Sequence, residues 1–175
     1  YLLMGNKMIR VVGDIMLDEW LNGNLEKKSA EAPINIFERK IENYSLGGVG
    51  NLSINLKSLG IKFDLFSEIG KDNYGKKVLE ILREKKIKFN ILKIKKQTTI
   101  KRRFFKNNNQ VFREDIEDTR INKRIGDEVY KKLKSNEILV ISDYNKGSIH
   151  KDFFNDILKK NIVTFVDPKN KPFFY

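Results

Sequence analysis

Hydrophobic and polar residues alternate along this chain with two different periods, and the switches between them outline a succession of strands and helices. The apolar run at residues 8–13, Met-Ile-Arg-Val-Val-Gly, predicts a buried strand. Residues 17–25 and 34–41 alternate apolar with polar side chains, the mark of strands with one wet face, and they suggest a small antiparallel sheet outside the main one. Helical spacing follows over 49–59, then a strand over 63–69 closed by Gly70. Asp72 or Asn73 is placed to cap an amphipathic helix over 74–85, whose Val78, Leu79 and Leu82 share one face. Residues 87–94, 98–105 and 110–116 read as strands, the last two as a hairpin turning through the asparagines of 106–109. A helix near 122–133, an almost wholly apolar strand over 137–142, a helix over 151–160 and a strand over 162–166 complete the pattern, ending at Asp167-Pro168-Lys169. Strands alternating with helices predict an α/β sandwich built on a largely parallel sheet.

Composition narrows the class. A chain of 175 residues predicts one domain, and 40% hydrophobic content suits a packed core. The absence of cysteine excludes disulfides and thiolate metal sites, and a single histidine excludes a histidine-rich cluster, so no metal site is expected. No apolar run reaches the roughly 18 residues needed to cross a bilayer, and the first residues lack a secretory layout, which together predict a soluble, cytoplasmic protein with no membrane contact. The net charge of +12 raises the question of nucleic acid. Lysines are spread over the polar faces of nearly every helix instead of forming one patch, so a solvated basic surface, without specific nucleic-acid binding, is the simpler reading.

Candidate chemistry clusters at strand ends. Asp14 and Asp18 follow the first strand, Asp143 a later one and Asp167 the last, and in α/β sheets ligands sit outside the carboxyl ends of strands. Any one of these acids alone reads better as a turn residue or a helix cap than as a ligand group. The segment Gly47-Gly48-Val49-Gly50-Asn51 opens a helix, where glycines let backbone N–H groups approach a polar ligand and an asparagine can bond hydroxyls. Lys101, Arg102, Arg103 and Arg113 alternate on the predicted hairpin, where some must share a face suited to a phosphate. His150 reads as a surface helix cap, and Trp20, Phe104, Phe105 and Phe112 as packing or lid contacts.

In this order, Val12-Gly13-Asp14 through Asp18, Gly47-Gly48-Val49-Gly50-Asn51 and Asp143-Tyr144-Asn145-Lys146-Gly147 make the chain similar to the N-terminal part of ribokinase-like (PfkB) sugar kinases. Within that family it most resembles the heptose 7-phosphate kinases, through Ser29-Ala30-Glu31-Ala32-Pro33, the stretch from Thr98 to Arg103, and Gln110 to Asp115. The resemblance implies a ribokinase-like α/β/α sandwich, here incomplete, with a small antiparallel β lid over about 17–43 and part of 98–116. It implies sugar binding by Asp18 and Asp14, by Gly47, Gly48 and Asn51, and substrate contacts from Arg103, Gln110, Arg113 and Asp143. Lys146 would lie near a substrate or transferring phosphate as a charge stabiliser. ATP and Mg²⁺ serve the complete enzyme, the partner is a small sugar phosphate, and the lid implies a homodimer. The family's Gly-Ala-Gly-Asp motif, whose aspartate is the base, does not occur here, and Asn35-Ile36-Phe37-Glu38 fits its Asn-x-x-Glu only by chance. The base is therefore expected beyond Tyr175, and the 175 residues alone are expected to be inactive. Rival readings are a related kinase for another sugar or a nucleoside, or a non-catalytic sugar-phosphate-binding module.

Overall fold

The structure, a computed structural model, describes residues 7–169. Its main sheet is assembled from β1 (Ile9–Gly13), β4 (Phe63–Gly70), β5 (Phe89–Ile94), β8 (Ile138–Asp143) and β9 (Val163–Pro168), in the order β5-β4-β1-β8-β9 with every pair parallel. Parallel strands need crossover connections, which α1 (Val49–Ser58), α2 (Asn73–Glu84), α3 (Arg124–Lys132) and α4 (Lys151–Leu158) supply on both faces. Alternation along each strand then divides the interior into two cores. Val11, Leu65 and Ile138 pack with Val78, Leu79 and Leu82 of α2. Val12, Phe66, Leu139 and Ile141 pack with Ile125 and Val129 of α3 and Phe153 and Ile157 of α4. Val11 and Val12 of the central strand are fully buried, as a strand covered on both faces requires.

One charged side chain interrupts that central strand. Arg10 spans its two neighbours, donating to Glu137 from Nε (3.0 Å) and Nη2 (2.7 Å) and bonding Asp64 from Nη1. Burying a guanidinium is tolerable here because both flanking carboxylates satisfy it.

The helix ends follow the expected chemistry. Asp72 caps α2 by accepting from the Gly75 N–H (2.7 Å) and also accepts from the Thr98 N–H (2.8 Å) and hydroxyl (2.8 Å), which ties this turn to the chain ahead of β6 (Ile100–Lys106). His150 caps α4, Nδ1 accepting from the Phe153 N–H (3.3 Å), yet its side chain is only 8% exposed and so is turned inward, away from the surface position expected of it.

A second sheet holds β2 (Ile15–Lys28), β3 (Asn35–Gly48), β6 and β7 (Asn109–Ile116), in the order β3-β2-β6-β7. The antiparallel sheet expected here is in fact mixed: β2–β3 and β6–β7 are antiparallel, but β2–β6 is parallel. The reason is topological. β2 continues from β1 and β6 from β5, and because β1 and β5 run the same way, both continuations leave the main sheet in one direction. The long strands bend at register shifts near Asn22, Asn24 and Phe104. No helix among the described residues is long and apolar enough to cross a membrane.

Candidate functional site

The site lies where the carboxyl ends of the main-sheet strands meet the inner half of the second sheet. Alternation along β2 sends Met16, Asp18 and Trp20 to one face. Register then sets Gly47 opposite Met16 and Ser45 opposite Asp18 on β3, and Lys101 and Arg103 beside Asp18 and Trp20 on β6. With Asn51 from the first turn of α1 and Tyr144 from the loop after β8, these residues line a cavity of about 390 Å³. That volume falls in the roughly 300–1,000 Å³ range of small-molecule sites. A larger hollow of about 450 Å³ lies at the amino ends of the strands, lined by Lys57, Lys62, Lys86, Lys88 and Asp64. Its one carboxylate is already held by Arg10 and Lys88, and ligands of such sheets bind at the other end.

Within the cavity, Asp18 Oδ1 accepts from Arg103 Nη1 (2.5 Å), and the Arg103 guanidinium stands 4.8 Å from the centre of the Trp20 ring. The other carboxylate oxygen needs a bare neighbour: a Cβ on Gly47 would stand 2.6 Å from Asp18 Oδ2. Gly48 adopts φ +57°, and a Cβ there would lie 2.2 Å from the Asp14 carbonyl oxygen. Both the backbone angle and the close approach demand glycine at this position. α1 starts without a side-chain cap, its Val49 N–H donating to the Asp14 carbonyl (2.9 Å), while Asn51 stays exposed to the cavity.

Asp14 has a different task from the one expected. It is 1% exposed, and its carboxylate accepts from the backbone N–H groups of Tyr144 (2.8 Å), Lys146 (3.0 Å) and Ser148 (3.0 Å). Burial pushes its carboxyl up, and those same three N–H donors oppose the shift. With its oxygens turned to the chain itself, Asp14 anchors the loop that presents Tyr144 and does not line the cavity. Asp143 Oδ1 accepts from the Asn145 N–H (2.8 Å), and its carbonyl accepts from the Lys169 N–H (2.9 Å).

Lys146 is nearly buried and also stands behind the cavity wall. Its Nζ meets Glu117 Oε2 at 2.6 Å, and its carbonyl accepts from Lys96 Nζ (3.4 Å). Arg102 faces the opposite side of the second sheet, where it bonds Glu19 (2.5 Å), the Tyr74 hydroxyl (2.7 Å) and Glu114. Arg113 sits across from Arg103 and pairs with Asp115, Nε to Oδ1 at 2.6 Å. Gln110 lies opposite Phe105 near the hairpin tip, exposed and outside the cavity lining. Burial, and then the neighbouring charges of Lys169 and Arg113, hold the Lys101 ammonium below its usual range. Cations crowded in this way suit an anion. Sequence reasoning undervalues Trp20, Ser45 and Tyr144; the alternation through Asp18 is enough to find the first, and register is needed for the second.

Carboxylate, bare glycine backbone, asparagine and a cationic rim thus converge at one sheet end. The sequence model for "pfkB family carbohydrate kinase" matches residues 6–165. The chain belongs to the pfkB family of carbohydrate kinases. Among curated relatives, the "Bifunctional protein HldE" of Aliarcobacter butzleri (strain RM4018) is 33% identical over 94% of this chain. The pfkB chain spans only 37% of that relative's length. Among solved structures, phosphofructokinase-2 from Escherichia coli in complex with fructose-6-phosphate superposes with a TM-score of 0.74 over 94% of this chain and 55% of its own, at 15% identity. The tetrameric inhibited form of phosphofructokinase-2 from Escherichia coli gives 0.71 over 93% and 54%, at 16% identity. At that identity the likeness speaks for the fold, which is the ribokinase-like α/β fold.

Proposed function

We propose that this pfkB chain is the sugar-binding part of an ATP-dependent kinase that phosphorylates heptose 7-phosphate at its anomeric hydroxyl for ADP-heptose synthesis. The observation that carries the reading is the convergence of Asp18, Asn51 and the bare Gly47-Gly48 backbone on one cavity whose rim holds Lys101 and Arg103. Asp18 accepts two sugar hydroxyls, oriented by Arg103, and Asn51 bonds a further one. Lys101 and Arg113 attract the substrate phosphate, and Lys146 adds positive charge from behind the wall. Gln110 and Asp143 act at the periphery, the first from the hairpin tip and the second by shaping the loop of Tyr144. A buried acceptor left unpaired by the wrong sugar gives strong rejection, which makes Asp18 the centre of specificity. The heptose assignment rests on Gln110 to Asp115 and on Asp143-Tyr144-Asn145-Lys146-Gly147.

Kinases of this family use ATP and Mg²⁺. Among the described residues no group of three or more His, Cys, Asp or Glu side chains gathers, so Mg²⁺ would rest mainly on the nucleotide phosphates and water. The residues of this chain therefore bind and orient the sugar, and the base for the sugar hydroxyl belongs to the Gly-Ala-Gly-Asp motif this sequence lacks.

Calorimetry with heptose 7-phosphate and with the unphosphorylated heptose tests the reading. Replacing Arg113 by alanine should weaken the phosphorylated sugar about tenfold and the unphosphorylated one hardly at all, since one charge-assisted contact is worth roughly 1.5 kcal/mol. Equal losses would favour a kinase for another sugar, and ATP-dependent turnover by the 175 residues alone would refute the assignment of the base. The second sheet also exposes Ile36 (37%), Ile41 (56%) and Phe112 (61%), which supports a homodimer formed through it. Light scattering at micromolar concentration should then give twice the chain mass, and replacing Ile41 by lysine should give the monomer.

A further inference from the structure

Lys146 is held from two directions by the two roots of one hairpin. Lys96, in the segment leading into β6, donates to its carbonyl (3.4 Å), and Glu117, immediately after β7, takes its ammonium (2.6 Å). Lys96 is fixed in turn by Glu68 of β4, Nζ to Oε1 at 2.6 Å, with both side chains at most 5% exposed. The Lys146 backbone N–H goes to Asp14. Main-chain position is therefore set by Asp14 and Lys96, whereas the ammonium is held by the carboxylate of Glu117. The Lys146 side chain is 10% exposed and that of Glu117 28% exposed, so the ammonium is largely covered, yet its charge still acts on Asp115 beside the cavity rim. Glu117 lies one alternation beyond Asp115, which is paired across the hairpin with Lys101 at the cavity rim. The pair thus borders the cationic rim.

We infer that Glu117 is a positioning residue that competes with the phosphate of an anionic ligand for the Lys146 ammonium, and so sets both the affinity for phosphorylated sugars and the attachment of the β7 root to the cavity loop. The inference rests on the proposed role of Lys146 toward a substrate phosphate. A phosphate entering beside Lys101 offers the ammonium a doubly charged acceptor in place of a singly charged one. Lys146 then exchanges partners without moving its backbone, because Asp14 and the Glu68–Lys96 pair keep that backbone in place. The β7 root loses its side-chain tie to the loop in the same exchange, which couples anion binding to the hairpin's freedom to move.

The experiment uses the whole chain with three probes: inorganic phosphate, heptose 7-phosphate and the unphosphorylated heptose. Glu117→Gln leaves a screened ammonium without its counter-charge, so phosphate and heptose 7-phosphate should bind about fivefold tighter while the unphosphorylated sugar is unchanged. Adding Lys146→Met should cancel the gain, and amide exchange at the β7 root, residues 114–118, should be faster in Glu117→Gln than in the parent and should quicken in the parent when phosphate is added, while residues 144–148 stay as they are. Glu117→Asp, which keeps the charge but shortens the reach, should fall between parent and Glu117→Gln and serves if the glutamine variant misfolds. A purely structural ion pair predicts weaker binding of all three probes in either variant, and that result, or unchanged phosphate affinity, overturns the inference. If the parent chain binds inorganic phosphate in this Glu117-dependent way but neither sugar, the sugar-kinase reading fails and the competition at Lys146 stands.

Discussion

Replacing Asp14 by alanine should destabilise the protein by about 3 kcal/mol, because it strands two buried backbone N–H groups and a third that is partly buried. For a chain of this size that corresponds to a fall in melting temperature of roughly 10 °C. Asp14→Asn is the sharper probe: its single carbonyl oxygen can keep the Tyr144 and Lys146 bonds that now share Oδ2, while its NH₂ would face the Ser148 N–H. It should cost about half as much. Thermal unfolding followed by circular dichroism measures both, and amide exchange localises the damage to residues 144–148. Melting of Asp14→Ala within a degree or two of the parent would show that the loop is held by other means.

Asp18→Ala should cost binding, with little effect on the fold. The carboxylate is offered on the cavity face, and two charge-assisted bonds to sugar hydroxyls at roughly 1.5–2 kcal/mol each amount to a loss of a hundredfold or more in affinity. The substitution also releases Arg103 from its 2.5 Å contact, so part of the loss reflects a guanidinium free to swing over Trp20. Asp18→Asn keeps the size and an acceptor but loses the charge, and should fall between parent and alanine. Titration calorimetry reads the affinities and a melting curve checks the fold. A parent-like affinity in Asp18→Ala would remove the central acceptor from the proposed site.

The contrast between these two aspartates marks what the sequence can and cannot say. Each follows the first strand, and a carboxylate at a strand end looks the same in one dimension whether it faces a ligand or its own backbone. What separates them is three-dimensional: Asp14 occupies the break between β1 and β2, under a loop that arrives 130 residues later, whereas Asp18 lies on a regular strand with a cavity face. Arg102 and Arg103 repeat the lesson. Alternation requires them to face opposite ways, but only their register with Glu19 and Asp18 decides which of them meets the cavity. The main sheet, by contrast, is legible almost strand by strand, because apolar runs such as 138–142 and amphipathic helices such as α2 are local patterns. The parallel β2–β6 pairing leaves no local trace, since it depends on the directions of β1 and β5. Alternation also understates β2 and β3: each runs 14 residues, and their bulged ends break the simple period of two.

The Arg10 trio bears on how the central strands are aligned. An apolar strand slipped by two residues keeps every side chain on its original face, so hydrophobic contacts alone discriminate weakly among such alignments. In the observed one Arg10 is level with Asp64. A shift of two in either direction would set the guanidinium level with Lys62 or Phe66, with repulsion in one case and a desolvated, unanswered charge in the other. A single cation between two acids thus acts as a ratchet tooth for the sheet, admitting one alignment and refusing its nearest competitors.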